Sequence, residues 1–323
     1  MMGLPINPLS LKEPHPDRPV KPTMDRRHFL ALLSGFMPAL LLPAAATADN
    51  RPRKSLPGGG ASLPAIGMGT WLTFDVGDDY EAMRRRREVL RRFLAHGGGM
   101  IDSSPMYGRA EWLLGQLLPD MPHRDRVLAA TKIWTPFDKL GPSQIEDSLR
   151  LWGLPRLDVV LVHNLLNWRA HLKTLRGARE RGVVGHIGIS TSHGRRHEDV
   201  ARLLRDEPLD VLQITYNLAD ESAEPLLRLA AERGVAVVVN RPFDGGDLFH
   251  RVAGRPLPPW AAEIDCANWA QFFLKWVVSH AAVTCAIPAT TNPDHLDENM
   301  GAGLGRMPDA AMRRRMREYL SRA

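Results

Sequence analysis

A closed α/β barrel of the (β/α)8 TIM type, preceded by a signal segment, is the fold this sequence predicts. Three observations predict it. Short apolar runs alternate with longer amphipathic segments from Ala65 onward, the rhythm of a parallel sheet covered on both faces. Eight such runs follow one another with no long strand-only stretch, whereas an open doubly wound sheet would usually show fewer. Several end in one ionisable residue, where a barrel enzyme carries its chemistry.

The runs cover residues 65–68, 99–102, 127–131, 158–162, 186–189, 211–214, 236–239 and 284–287. Helical periodicity fills the gaps, for example over 80–95 and over 222–233, the latter closed by Gly234 at a C-cap position. After the seventh run comes a stretch rich in Gly and Pro, residues 243–268, which as a long irregular loop would overhang the barrel mouth. A barrel needs about 250 residues. The 323-residue chain therefore divides into an extension, 1–48, and one barrel, 49–323.

The extension has its own logic. Arg26 and Arg27 precede an almost wholly apolar run over residues 29–46, the pattern of a twin-arginine export signal. Ala46-Thr47-Ala48 before Asp49 has the small-x-small form of a cleavage site. A run of this length could just span a bilayer as an uncleaved anchor, but Ser34, Gly35, Pro38 and Pro43 weaken it and favour cleavage. The export machinery is then a partner and the periplasm, or another exported location, the destination. Translation could start at Met1 or at Met24.

Basic runs at Arg84–Arg87 and Arg313–Arg315 sit at helical spacing around Val89, Phe93, Met312 and Met316, as solvated helix faces do. No nucleic-acid partner is expected. The chain has only two cysteines, few for an exported protein that relied on disulfides, and Cys285 lies inside an apolar run where packing suits it better than pairing.

Four ionisable residues carry the chemistry. Asp102 and Tyr107 follow the second run, Lys132 follows the third and His163 the fourth. A tyrosine with an ordinary pKa near 10 is protonated at neutral pH and can give its proton to a carbonyl oxygen. An ammonium beside it favours the phenolate and eases that transfer, which suits Lys132. Asp102 is the counter-ion a buried lysine needs, and His163 remains to orient the substrate oxygen. Singly each has an ordinary role, as a loop cap, a packing ring, a solvated charge or a core histidine. Their coincidence at the strand ends is what points to a site.

Order and gaps together resemble the aldo-keto reductases, over roughly residues 63–299. The resemblance implies hydride transfer from NADP(H), with NAD(H) as the second cofactor the site could take, to a small aldehyde or ketone. It assigns Gly69 and Thr70 to the cofactor loop, and Trp71 and Trp134 to the substrate wall. Ser190 and Gln213 fall where the family holds the nicotinamide carboxamide. Thr290, His295, Glu298 and Asn299 fall over the adenosine phosphate and adenine. Thr191 replaces a frequent asparagine, Asn240 a frequent stacking aromatic, and Ala289 and His295 frequent basic residues. A weaker preference for NADPH than the family's usual one follows, partly offset if Arg241 reaches the pyrophosphate.

Other chemistries lack support. Gly67-Met68-Gly69 has no third glycine or closing acid, so it is no dinucleotide fingerprint. His193 and His197 frame no glutamate of a zinc-protease helix, since Gly194 takes that place, and no metal is expected. Ser103 and Ser104 lack a nucleophile-elbow frame. The competing function is a nucleotide- or ligand-binding barrel with a sensor or accessory role and little turnover. An exported reductase would load its cofactor before export, and because no NADPH pool is expected outside the cytoplasm it would turn over once, rely on an electron-returning partner, or hold the cofactor tightly for binding.

Overall fold

Period-two alternation along parallel strands decides this architecture, because each strand must send alternate side chains to two different apolar surroundings. In the computed structural model, which describes residues 52–59 and 61–322, eight strands run parallel in sequence order. They are β3 (Met68–Gly69), β4 (Gly99–Asp102), β5 (Val127–Ile133), β6 (Leu157–His163), β7 (Val184–Ser190), β8 (Val211–Thr215), β9 (Ala236–Asn240) and β10 (Val283–Ala286). Parallel bridges Ile66–Ala286 and Gly69–Ala289, with Gly67 N–H donating to Ala286 O at 2.8 Å, close the ring. The expected export signal at Arg26-Arg27 and its cleavage site after Ala48 lie outside the described residues.

Two hydrophobic clusters result. Ile101, Ala129, Val160, Val162 and Ile189 point outward and pack under the helices. Met100, Ala130, Val159, Leu161, Val211, Val238 and Cys285 point inward and fill the barrel. The sequence reading missed what seals the floor of that inner cluster. An antiparallel hairpin of β1 (Arg53–Ser55) and β2 (Ser62–Pro64) brings Leu56 and Leu63 into it. Three-residue strands are too short to show a period.

Helix α1 (Tyr80–Ala95) starts where the 3.6-residue pattern predicts, with the Asp79 side chain accepting from Ala82 N–H as N-cap. Arg84 and Arg85 pair with Glu81, and Arg91 and Arg92 with Glu88, but Arg86 departs from the expected solvated run: it is buried and donates to Thr73 O. Arg313 departs from the expected solvated face. Its guanidinium stacks 4.2 Å from the Trp276 ring and donates to Tyr216 Oη at 2.9 Å. The stretch 243–268 is also more ordered than a loop, holding helix Asp247–Arg251 and 3-10 turns at Asp244–Gly246 and Pro259–Ile264. Phe243 and Phe249 anchor it, the latter 5.5 Å from Phe273. Both cysteines are free and buried.

Candidate active site

At the C-terminal ends of the strands the inward positions turn from apolar to polar. On β4 the inward residue after Met100 is Asp102, on β5 the one after Ala130 is Lys132, and on β6 the one after Leu161 is His163. All three are buried. The Lys132 ammonium donates to Asp102 Oδ2 and to Ser103 O, both at 2.7 Å, and lies 4.8 Å from the centroid of the Tyr107 ring. Two of its three N–H groups are thus used and the third is left for the phenol.

Tyr107 reaches the lysine because the chain turns sharply behind it. Gly108 has φ +57°, and a Cβ there would fall 2.1 Å from the Asp75 carboxylate, which accepts Arg109 N–H at 3.0 Å. The other Asp102 oxygen accepts from Gln213 Nε2 at 2.7 Å, and Thr70 Oγ1 donates to Asp102 O at 2.9 Å. His163 Nδ1 lies 2.8 Å from Ser190 Oγ. After His163 the backbone reverses through Asn164 and Leu165, both at positive φ, a conformation worth roughly 1–2 kcal/mol of strain per residue and concentrated at functional sites.

Protonation follows from burial and charge. Burial works to lower the Lys132 pKa, but the Asp102 carboxylate and Tyr107 outweigh it and keep the ammonium charged. Burial raises the Tyr107 phenol, the Lys132 charge opposing it and Asp102 adding to it. The net direction is upward, so Lys132 moderates a shift that it was expected to reverse. His163 is held down to about 3, first by burial, then by the charges of Lys132 and His193, and is neutral.

One cavity of about 460 Å³ opens onto these groups. Of the residues expected from sequence, Asp102, Tyr107, His163, Gly69, Thr70, Trp71, Gln213, Asn240 and Arg241 line it. Lys132 and Ser190 do not line it but contact the lining residues Asp102 and His163. Trp134 does not line it; its backbone is held instead by Gln144. Thr290 turns its hydroxyl to Asn292 N–H at 3.1 Å, His295 and Glu298 lie on helix Pro293–Gly301, and Asn299 is buried there, all outside the cavity lining. Asn240 is committed on both sides, donating to Thr191 O at 2.9 Å and accepting from Thr215 Oγ1 at 2.7 Å.

Sequence reasoning missed Met106, Asn164, His193, Arg195, Phe243 and Phe249, which also line the cavity. It missed Glu111 as well, a buried carboxyl behind β5 that accepts from Thr131 Oγ1 at 2.5 Å, Ser148 Oγ at 3.1 Å and Trp152 Nε1 at 3.1 Å. Burial raises its pKa, against those three hydrogen bonds. A signal existed: an acid amid Ala110, Leu113 and Leu114 on an apolar helix face must find partners inside.

Such a site can hand a proton to a carbonyl oxygen while holding that oxygen in place, which is the work of a carbonyl oxidoreductase. The profile of the aldo/keto reductase family matches residues 65–315, so the chain belongs to that family of oxidoreductases. It is 27% identical over 252 residues to methylglyoxal reductase YeaE of Escherichia coli, covering 75% of this chain and 86% of that one. It is 28% identical over 238 residues to pyridoxine 4-dehydrogenase of the same organism, covering 66% of this chain and 79% of that one. In fold it resembles an aldo-keto reductase from Klebsiella pneumoniae in complex with NADPH, with a TM-score of 0.71, 24% identity and coverage of 83% of this chain and 95% of that one.

Proposed function

We propose that this chain reduces the carbonyl group of a small aldehyde or ketone with NADPH, with NADH as the second choice. The observation that carries the reading is the buried Lys132 ammonium, shared between Asp102 and Ser103 O and facing the Tyr107 ring. A reduced nicotinamide, when bound, supplies the hydride. Tyr107 gives its proton to the carbonyl oxygen, and Lys132 stabilises the phenolate left behind. Neutral His163, its Nδ1 2.8 Å from Ser190 Oγ, presents Nε2–H to the same oxygen in the tautomer in which Nδ1 accepts from the serine. The residues fit a dinucleotide: Thr191 Oγ1 and Arg241 Nε are buried without partners at the carboxamide and pyrophosphate positions, and Gln213 Oε1 stays free to accept. The names of the relatives, a methylglyoxal reductase and a pyridoxine dehydrogenase, support a small carbonyl substrate.

Incubating the purified protein with NADPH, methylglyoxal and a panel of aldehydes tests this. Steady NADPH oxidation is expected; tight NADPH binding without turnover on any carbonyl would instead favour a ligand-binding barrel. We further propose that residues 1–48 direct export by the twin-arginine route with the cofactor loaded beforehand, and that a partner returns electrons outside. Replacing Arg26 and Arg27 by Lys should leave uncleaved enzyme in the cytoplasm; export and cutting after Ala48 at the parent's rate would refute that role.

A further inference from the structure

The cavity carries more positive charge than its chemistry uses. Among the described residues its only lining carboxylate is Asp102, already neutralised by Lys132, whereas Arg195, Arg241 and His193 also line it. These groups feel one another: burial, then the Arg241 and Arg195 charges, lower the His193 pKa, and Asp244 raises it. Arg241 has a partial answer in Asp244, 3.4 Å away, and a place on the path proposed for the pyrophosphate. Arg195 has none. Its neighbour Arg196 donates to Asp199 and to Asn164 O, at 3.0 and 3.1 Å, but Arg195 has no hydrogen bond, ion pair or ring contact among the described residues.

The two arginines come from different loops, Arg195 after β7 and Arg241 after β9. The residues assigned to the cofactor run from the ends of β7 and β8 across β9 to the segment after β10. Arg195 and His193, both exposed, lie on the loop that follows β7, which Arg196 ties to the end of β6 by donating to Asn164 O at 3.1 Å. Their loop is tethered: His193 N–H donates to Thr215 Oγ1 at 3.0 Å, and His193, Gly194 and Arg196 all hold positive φ.

We propose that the site selects carbonyl substrates bearing a carboxylate, held by the Arg195 guanidinium and the His193 imidazole where the loop after β7 lines the cavity. One guanidinium and one neutral imidazole balance a single negative charge, and the planar fork suits a carboxylate. This substrate class rests on the carbonyl-reductase reading above, so its test needs a readout independent of turnover.

The full chain and its Arg195→Ala variant are compared on 4-formylbenzoate and on its methyl ester, at saturating NADPH. Benzoate and benzamide are titrated calorimetrically in parallel. The parent should favour the acid over the ester, and Arg195→Ala should cut that preference about tenfold or more, chiefly through KM. Arg195→Lys should restore part of it, and Arg195→Ala should lose benzoate binding but not NADPH binding. An unchanged acid-to-ester ratio, or a rise in the NADPH Kd in its place, overturns the subsite. If neither aldehyde is turned over by the parent, the reductase reading fails and the benzoate titration alone decides the subsite.

Discussion

The two sides of the barrel mouth differ in how complete their hydrogen bonding is before any ligand arrives. On the side of β4, β5 and β6, Asp102 has a lysine, an amide and a buried backbone around it, and His163 has its serine. On the side that runs from the end of β7 through β9 to the segment after β10, Thr191 Oγ1 and Arg241 Nε are buried without partners, and Thr290, His295, Glu298 and Asn299 stand away from the cavity. Proton-handling groups must be preorganised, because reorganising them would add to every barrier. Binding groups can wait for their ligand, at the cost of weaker affinity.

The sharpest break of this contrast is Lys132→Met. It strips a buried carboxylate of its partner, so stability should fall by about 3–5 kcal/mol in denaturant unfolding, and turnover should fall with it. Adding Asp102→Asn should recover part of that stability; no recovery would mean that the pair does not hold the wall. Tyr107→Phe is next. Shape and NADPH affinity should persist while kcat drops on the order of 10²-fold or more, read by steady-state assay and cofactor titration. Near-normal turnover would remove Tyr107 from the mechanism.

His163 allows a test by pH. Its folded pKa of about 3 lies below the ordinary 6.5 of an unfolded chain, so between those values the unfolded state takes up a proton that the folded state refuses. Stability should therefore fall as pH drops through that window, and less steeply in His163→Gln. Parallel pH–Tm curves for the two proteins would contradict the depressed value. The smallest expected effect is on the other side of the mouth, where Arg241→Ala should weaken NADPH by only severalfold, on the order of 1 kcal/mol, with kcat retained. A loss as large as that from Tyr107→Phe would show the cofactor side to be as preorganised as the catalytic one.

Most of this catalytic side was legible in the sequence. Gly99–Asp102 and Tyr80–Ala95 have the expected bounds, and Lys132 and His163 end their runs facing inward. Legibility failed where an element is too short for periodicity, as in β1 and β2, or where aromatic packing orders a Gly- and Pro-rich stretch, as at Phe243 and Phe249. It failed also for groups whose partners are distant in the chain. Gln213 binds Asp102 across 111 positions, and nothing local announces that bond.

What the sequence by itself determined is the barrel and the order of its reacting groups, because strand period and helix period are local properties and the inward face follows from counting by two. The tertiary structure alone decided the electrostatics. Whether Tyr107 is made more acidic by Lys132 depends on how much water burial removes against how close the ammonium lies, and burial wins. Whether Arg195 is a solvated charge or part of a site depends on which cavity its loop faces. Both are sums over residues far apart in the chain, and only folding brings their terms together.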